Sequence, residues 1–408
     1  MSRAFVLFGA NIQPERHVVR AMALLRASFP VVAVSPVYRT APAGDPDQED
    51  FLNVAVELRT SAPPQMIHER LREIEALLGR RRDPTRPLGP RTADLDLVLV
   101  EGLVGTFGAV ELPHPTLADQ AFALVPLADL APELPHPTLG VPLADLARRA
   151  VAGSPRPPVR VELGPNHSPR VALVTGGAVR LGRAIVEALA AAGHAVAFSY
   201  RSSARHAETL QASLAAAGVE ALAVPADLAQ PEARRHLVDA VLVHFGRLDV
   251  LVNNAAIFPR TPIETLSEEA FQEVMATNLA APVFLAKAAA GVLRHGQGCI
   301  VNIADIYGLF PLRHHLAYSV SKAGLLAATR ALAAELAPEV RVNAVAPGIA
   351  LFPEGYDEET RKRLLGRTLL GREGGAEEVA AAVRYLVDGT HTMTGQVLVL
   401  DGGRTVVL

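Results

Sequence analysis

The sequence predicts two domains of the α/β class in tandem: an α/β or α+β layer over residues 1–152, then a doubly wound parallel sheet over residues 169–408. Three observations carry that expectation. The chain has 408 residues, more than one ordinary hydrophobic core organises. Short apolar runs that read as strands alternate with helical stretches in both halves. Between the halves lies GSPRPPVRVELGPNHS, residues 153–168, whose four prolines and lack of apolar period read as a linker.

Composition narrows the function classes. Half of the residues are hydrophobic, a fifth are charged and the net charge is −3, as in a globular protein with a large core. No basic tract with interleaved aromatics occurs, so no nucleic-acid partner is expected. The single cysteine, Cys299, excludes an internal disulfide and suits a reducing cytoplasm. No apolar run reaches 18 residues, so no membrane partner is expected, and the opening residues read as a strand rather than a signal peptide. No internal repeat is expected.

In the first half, strands are expected at residues 4–8, 31–37 and 51–58, with a helix around residues 18–27. A Pro- and Gly-rich loop covers residues 40–47, and Ile67, Leu71, Ile74 and Leu78 place one apolar face on a helix over residues 64–79. The chemistry concentrates in Gly89-Pro90-Arg91-Thr92-Ala93-Asp94-Leu95-Asp96-Leu97. On a strand, Asp94 and Asp96 point to one face, about 7 Å apart. Two carboxylates so spaced can hold Mg2+, whose remaining ligands are waters and phosphate oxygens. Arg80, Arg81, Arg82, Arg86 and Arg91 supply donors for an anionic substrate. A bare D-x-D is also a common solvated strand face; the arginines and the G-P-R turn weigh against that.

G-P-R-T-A-D-L-D-L resembles the signature of 6-hydroxymethyl-7,8-dihydropterin pyrophosphokinase, and the likeness extends over most of the first 140 residues. Gly9-Ala10-Asn11, the stretch from Tyr38 to Asn53, and Leu112-Pro113-His114-Pro115 with Phe122 resemble other parts of that family. The resemblance implies a ferredoxin-like α+β fold. It implies that Phe51 and Phe122 sandwich a pterin, that Asn53 bonds its edge, and that Thr40, Pro42 and Gly44 shape its loop. It also implies Mg2+ on Asp94 and Asp96, and the ATP triphosphate on Arg82, Arg91 and His114. The pterin hydroxymethyl oxygen would attack the β-phosphorus, with AMP leaving. Ala10, Leu88 and Gln120 stand where the family commonly has serine, tryptophan and arginine, which bears on loop closure and turnover.

The second half opens with the apolar run Val171-Ala172-Leu173-Val174. The turn from Thr175 through Gly176, Arg180 and Leu181 to Gly182 follows, running into an alanine-rich helix. Strand, glycine turn and helix start form the arrangement in which backbone N–H groups and the helix dipole hold a pyrophosphate. Later apolar runs continue a Rossmann-type sheet. The second strand ends at Tyr200-Arg201-Ser202, where an NAD-binding chain usually places an acid; arginine and serine fit a 2′-phosphate, hence NADPH. The alternative is that Arg201 is merely exposed.

Tyr318 and Lys322 lie four apart, on one helix face. An ammonium beside a phenol favours the phenolate, so Lys322 is expected to lower the Tyr318 pKa. Only three of the 39 basic residues are lysine, so lysine was kept here against the habit of the chain.

Asn253-Asn254-Ala255-Ala256, Asn278, Tyr318, Lys322 and Pro347-Gly348 resemble the short-chain dehydrogenase/reductases. Arg180 replaces the usual glycine of the turn and Asp305 the usual serine thirteen residues before the tyrosine; with Phe258, these resemble the pteridine reductase branch. Ala256 departs from a serine found in some of its members. The resemblance implies cofactor contacts from Asp227, Asn254, Ala255, Lys322, Pro347 and Gly348, a substrate pocket including Arg180, Phe258 and Tyr318, and proton delivery by Tyr318 with Asp305 behind it. Together the halves predict a bifunctional folate-pathway enzyme with ATP, Mg2+ and NADPH, small pterin or folate substrates, and a tetramer assembled through residues 376–408. A chain in which one half only binds pterin or nucleotide is the alternative. A generic carbonyl reductase is disfavoured by Asp305 and Arg180.

Overall fold

A computed structural model describes residues 1–43, 47–82, 85–86, 88–164, 169–352 and 355–407. The chain divides into two compact units, Met1–His167 and Ser168–Leu408.

The first unit is built on β1 (Ser2–Ala10), β2 (Val31–Val34), β3 (Val37–Thr40), β4 (Phe51–Thr60), β5 (Asp94–Val100) and β8 (Val159–Val161), in the antiparallel order β5-β1-β4-β3-β8 with β2 also on β4; β6 (Gly105–Phe107) and β7 (Val110–Leu112) form a separate hairpin. The expected strand over residues 31–37 is two strands. Pro36 has no N–H to donate, and Ser35 bridges the break by exchanging bonds with the backbone of Ala55. Helices α1 (Pro14–Ser28) and α2 (Pro64–Leu77) pack on each other and on the sheet. Helices α3 (Ala121–Leu130) and α4 (Leu143–Gly153) close a core with Phe5, Leu7, Ala55 and Leu99. β1 is consequently buried from Ala4 to Ala10. Register builds the site: Gly9 lies opposite Asn53 on one side and Asp94 on the other.

The stretch read as a linker is not all spacer. Val159–Val161 pairs with β3, and Arg156 reaches Asp50 at 3.0 Å. Its alternating Val-Arg-Val completes a sheet edge, a pattern hidden among the flanking prolines. A fragment ending at residue 153 is therefore expected to melt below one ending at 164, by about 2–4 °C for each kcal/mol of edge pairing lost. Equal melting temperatures would show the strand to be dispensable.

The second unit is a seven-stranded parallel sheet: β9 (Val171–Val174), β10 (Ala195–Tyr200), β11 (Ala221–Pro225), β12 (Val250–Asn253), β13 (Cys299–Ile303), β14 (Arg341–Pro347) and β15 (Val397–Leu400), ordered β11-β10-β9-β12-β13-β14-β15. The order reverses between β9 and β12, and a crevice opens at their carboxyl ends, the place where such sheets bind ligands. Helices α5 (Arg180–Ala191), α6 (Ala204–Ala216), α7 (Pro231–Phe245), α8 (Glu268–Met275), α9 (Ala281–His295), α10 (Leu316–Leu336), α11 (Glu358–Leu365) and α12 (Gly375–Arg384) complete it. From α8 a π-turn at Ala276–Ala280 leads into α9, giving one helix from Glu268 to His295 that is long and apolar enough to cross a membrane by composition. Half of that apolar window is buried inside the protein, and α9 packs on α7 and α10, the pattern of a core helix.

One short repeat exists after all: Glu-Leu-Pro-His-Pro-Thr-Leu occurs at residues 111–117 and again at 133–139. In both copies the threonine N–H reaches the histidine Nδ1, at 3.4 Å for His114 and for His136.

Candidate active sites

The first unit holds a cavity of about 250 Å³ where β1 ends and β4 and β5 begin. Thr40, Phe51, Asn53, Arg91, Asp94, Asp96, His114 and Phe122 all line it, as expected from the sequence. Asn53 is buried and donates from Nδ2 to Thr40 Oγ1 at 2.7 Å. A Cβ on Gly9 would stand 2.8 Å from Asn53 Oδ1, so a larger residue there would displace the Asn53 amide. Asn11 clips the rim: it donates to Gln48 and accepts the Arg91 N–H at 2.7 Å, and Gln48 donates to the Leu88 carbonyl at 2.8 Å. His114 uses Nδ1 as an acceptor, which leaves Nε2–H as a donor.

The cationic side differs from expectation. Arg91 pairs with Asp94 and lies over the Phe51 ring at 5.6 Å. Arg82 does not line the cavity; its Nη2 donates to Glu75 at 2.9 Å and its side chain is largely exposed. Glu75, buried and unforeseen, also takes Arg72 at 2.7 Å and the Leu95 N–H at 2.8 Å, anchoring α2 to β5 between the two aspartates. Arg80 is mostly buried, 3.8 Å from Asp94. Pro42 is also not among the lining residues, and Gly44 lies outside the described residues. Burial, then the neighbouring Asp94, pushes the Asp96 carboxyl above the ordinary range, while His114 and Arg72 pull it back. No cluster of three or more His, Cys, Asp or Glu stands ready for a metal among the described residues.

The crevice of the second unit is a cavity of about 410 Å³ lined by Gly176, Arg180, Leu181, Gly182, Arg201, Asp227, Asn254, Ala255, Phe258 and Tyr318. Gly182 is required: a Cβ there would lie 2.1 Å from the Gly176 carbonyl oxygen. Thr175 lies beneath the turn, where its hydroxyl accepts the Asn254 and Ala255 N–H groups at 2.9 and 3.0 Å. Ser199, unforeseen, accepts the Gly176 N–H at 3.2 Å. Arg180 takes a φ of 51° and donates to the Phe352 carbonyl at 3.2 Å. Ser202, Pro347 and Gly348 do not line this cavity; Gly348 instead packs where a Cβ would meet Asp401 at 2.9 Å.

The Tyr318 hydroxyl donates to Asp305 Oδ2 at 2.8 Å, and Asp305 Oδ1 accepts the Tyr307 N–H at 2.8 Å. Lys322 is buried and spends a proton on the Ile303 carbonyl at 2.7 Å, 5.6 Å from the Tyr318 ring centroid. The expected lowering of the tyrosine pKa is not found. Burial, then the Asp305 charge, pushes Tyr318 well above the ordinary phenol value, and burial pulls Lys322 down to about 8. Burial also raises Asp305, against the Tyr307 N–H and Lys322. Carboxyl and phenol are thus both raised and are joined by one hydrogen bond. Asn278, in the π-turn, grips Ile257 from both sides, accepting its N–H and donating to its carbonyl, each at 2.9 Å.

An antiparallel α+β layer with a cavity at one sheet end, followed by a doubly wound parallel sheet with a crevice at its switch point, defines a two-domain α/β protein. Residues 5–132 match the 7,8-dihydro-6-hydroxymethylpterin-pyrophosphokinase family, and residues 177–405 match a family described as enoyl-(acyl carrier protein) reductase. An uncharacterized oxidoreductase of Methylorubrum extorquens is 36% identical over 241 residues, 57% of this chain and 97% of its own length. The 3-oxoacyl-[acyl-carrier-protein] reductase FabG of Staphylococcus aureus is 34% identical over 238 residues, 57% of this chain and 96% of its own. Among solved structures, a metagenomic blue fluorescent protein in complex with NADPH superimposes with a TM-score of 0.55 at 34% identity, over 58% of this chain and 97% of that one. A Serratia marcescens short-chain dehydrogenase/reductase mutant does so at 0.55 and 33%, over 58% and 98%. The chain belongs to the short-chain dehydrogenase/reductase family through its second domain, preceded by a pyrophosphokinase domain.

Proposed function

We propose that this is a bifunctional enzyme of folate biosynthesis. The first domain transfers pyrophosphate from ATP to 6-hydroxymethyl-7,8-dihydropterin and releases AMP; the second reduces a dihydropterin or dihydrofolate with NADPH. The observation that carries the second activity is the Asp305–Tyr318 hydrogen bond beside Phe258, in a chain whose other domain handles pterins.

In the first domain Asp94 and Asp96 would hold Mg2+. Their fit rests on half-buried carboxylates on one strand and on the upward push on Asp96, which a cation relieves. Phe51 and Phe122 offer the pterin two rings, Asn53 its edge contact, and His114 Nε2–H and Arg91 donors to phosphate. Phosphoryl transfer asks for this positioning and charge neutralisation. In the second domain the Gly176–Gly182 turn would hold the NADPH pyrophosphate and Arg201 the 2′-phosphate. Bound there, the nicotinamide supplies the hydride. Tyr318 delivers the proton to a basic ring nitrogen, and Asp305 resupplies it. The lone buried cysteine and the soluble substrates accord with a cytoplasmic protein, assembled as a tetramer through residues 376–408.

The names of the relatives favour a second reading, reduction of a 3-oxoacyl thioester. Asp305 argues against it, because a carbonyl oxygen gains nothing from a carboxylate beside its proton donor. Incubating the pure chain with NADPH and, separately, dihydropterins, dihydrofolate and a 3-oxoacyl thioester tests the choice. Oxidation of NADPH by the thioester alone would overturn the pterin reading.

Cofactor choice is a further expectation. NADPH should be preferred over NADH, and Arg201→Asp should narrow or invert the preference by roughly 10–100-fold, the scale of a charge-assisted hydrogen bond. Equal use of both cofactors by the wild type would remove the role given to Arg201.

A further inference from the structure

The ring of Phe258 lines the second cavity and is 42% exposed, yet two other rings pack against it and the backbone on either side is held. Asn278 holds the preceding residue, Ile257, by both backbone groups. Three residues after the ring, Thr261 is stitched to another segment: its N–H donates to the His314 carbonyl at 2.7 Å and its hydroxyl accepts the Ala317 N–H at 3.1 Å. Thr261 and His315 also form a parallel bridge. His314 takes a φ of 63°, a left-handed conformation that few non-glycine residues adopt and that concentrates at functional sites. That turn delivers His315 flat against Phe258, with ring centroids 4.5 Å apart and planes 14° from parallel. Tyr318 meets the same ring edge-on, at 4.5 Å and 77°. The His315 ring is itself oriented, with Nδ1 3.1 Å from the Arg313 carbonyl, so Nδ1 carries the proton and donates. His315 is not among the residues lining the cavity, whereas Phe258 and Tyr318 are. The imidazole therefore backs the phenyl ring rather than facing the space beside it.

We propose that His315 is a positioning residue for the substrate: stacked behind Phe258, it fixes the plane on which a flat heteroaromatic ring lies before Tyr318. The proposal rests on the pterin reading of this site. A phenyl ring held from behind presents its face to the substrate; one free to rotate presents its edge part of the time. Aromatic pairs favour offset stacking or edge-to-face contact at centroid distances of about 4.5–7 Å, so the plane of the phenyl ring decides which of the two the substrate meets, and a misaligned partner loses the geometry that proton delivery needs.

The test uses the full chain. His315→Ala should raise KM for the dihydropterin about 3–10-fold, the scale of one aromatic stack, while kcat and NADPH affinity stay within about twofold. His315→Phe should restore KM, because a flat ring is sufficient, and His315→Leu should not. A merely structural role would move kcat, NADPH affinity and melting temperature together. An independent readout does not need the substrate. The chain has no tryptophan, so Phe258→Trp introduces a single indole that can be excited apart from the tyrosines. Its anisotropy decay should show a restrained ring, loosened when His315→Ala is added. Unchanged KM in His315→Ala, no restoration by His315→Phe, or identical anisotropy decays would each overturn the proposal. A wild type that reduces no dihydropterin would instead defeat the functional reading, and the tryptophan measurement would still decide the clamp.

Discussion

Asp96→Asn should cut magnesium-dependent release of AMP from ATP and hydroxymethyldihydropterin by at least roughly 10²–10³, the scale of removing one preorganised electrostatic group. NADPH oxidation by the other domain should be unchanged. Asp96 and Asp94 stand two apart on one strand, and burial with mutual repulsion lifts the Asp96 pKa. His114 and Arg72 compensate only in part. The amide keeps the shape and removes the charge that a magnesium ion requires. The sign of the stability effect follows from the raised pKa. The proton is held more tightly in the folded state than in the unfolded chain, so stability is fully present below about 3.9 and is lost as pH rises through the folded value. At neutral pH an ionised Asp96 therefore weakens the metal-free domain. Asp96→Asn should raise its melting temperature without magnesium and blunt the rise that magnesium gives the wild type. Chromatographic measurement of AMP and a thermal scan at two magnesium levels check both; full activity in the variant removes the metal assignment.

Asp305→Ser should lower dihydropterin reduction by roughly 10²–10⁴, the contribution of a positioned proton donor, with NADPH still bound. The carboxyl accepts the Tyr318 hydroxyl and is raised by burial, so it is a group that can give a proton back to the phenol after turnover. Serine cannot take that part. Here too the folded pKa lies above the unfolded one, so ionisation at neutral pH costs stability that is recovered as pH falls. The serine variant should melt higher than wild type at pH 7, and the difference should shrink in acid. Rates with NADPH in excess and melting curves across pH read both quantities. An unchanged pterin rate would make Asp305 a structural residue only.

What the sequence disclosed depended on distance along the chain. Asp94 with Asp96, and Tyr318 with Lys322, are fixed relative to one another by strand or helix period, so their shared faces could be read directly. The Thr175–Gly182 turn announced itself by glycine content and a following helix. Glu75 gave no signal, since its partners Arg72, Arg82 and Leu95 meet only when α2 folds against β5. Counting arginines near the aspartates could not tell that Arg82 is already engaged. Lys322 was placed on the correct face, yet its ammonium follows the nearer acceptor, the Ile303 carbonyl at the end of β13. His315 and Phe258 are 57 residues apart and meet through a bridge that no local pattern encodes. Strand β8 was masked by the prolines around it.

The repeated heptapeptide has a consequence for reading chains by pattern. Each copy closes on itself: two prolines stiffen the backbone and the histidine Nδ1 accepts the N–H of the threonine two residues later. The shape is thus carried within the segment, like a prefabricated bracket. Its employment is not. The first bracket brings His114 to the wall of a cavity. The second is walled in: His136 is 3% exposed, and its Nε2 has no partner. To a reagent seeking imidazole, identical letters at two addresses are one open door and one sealed brick.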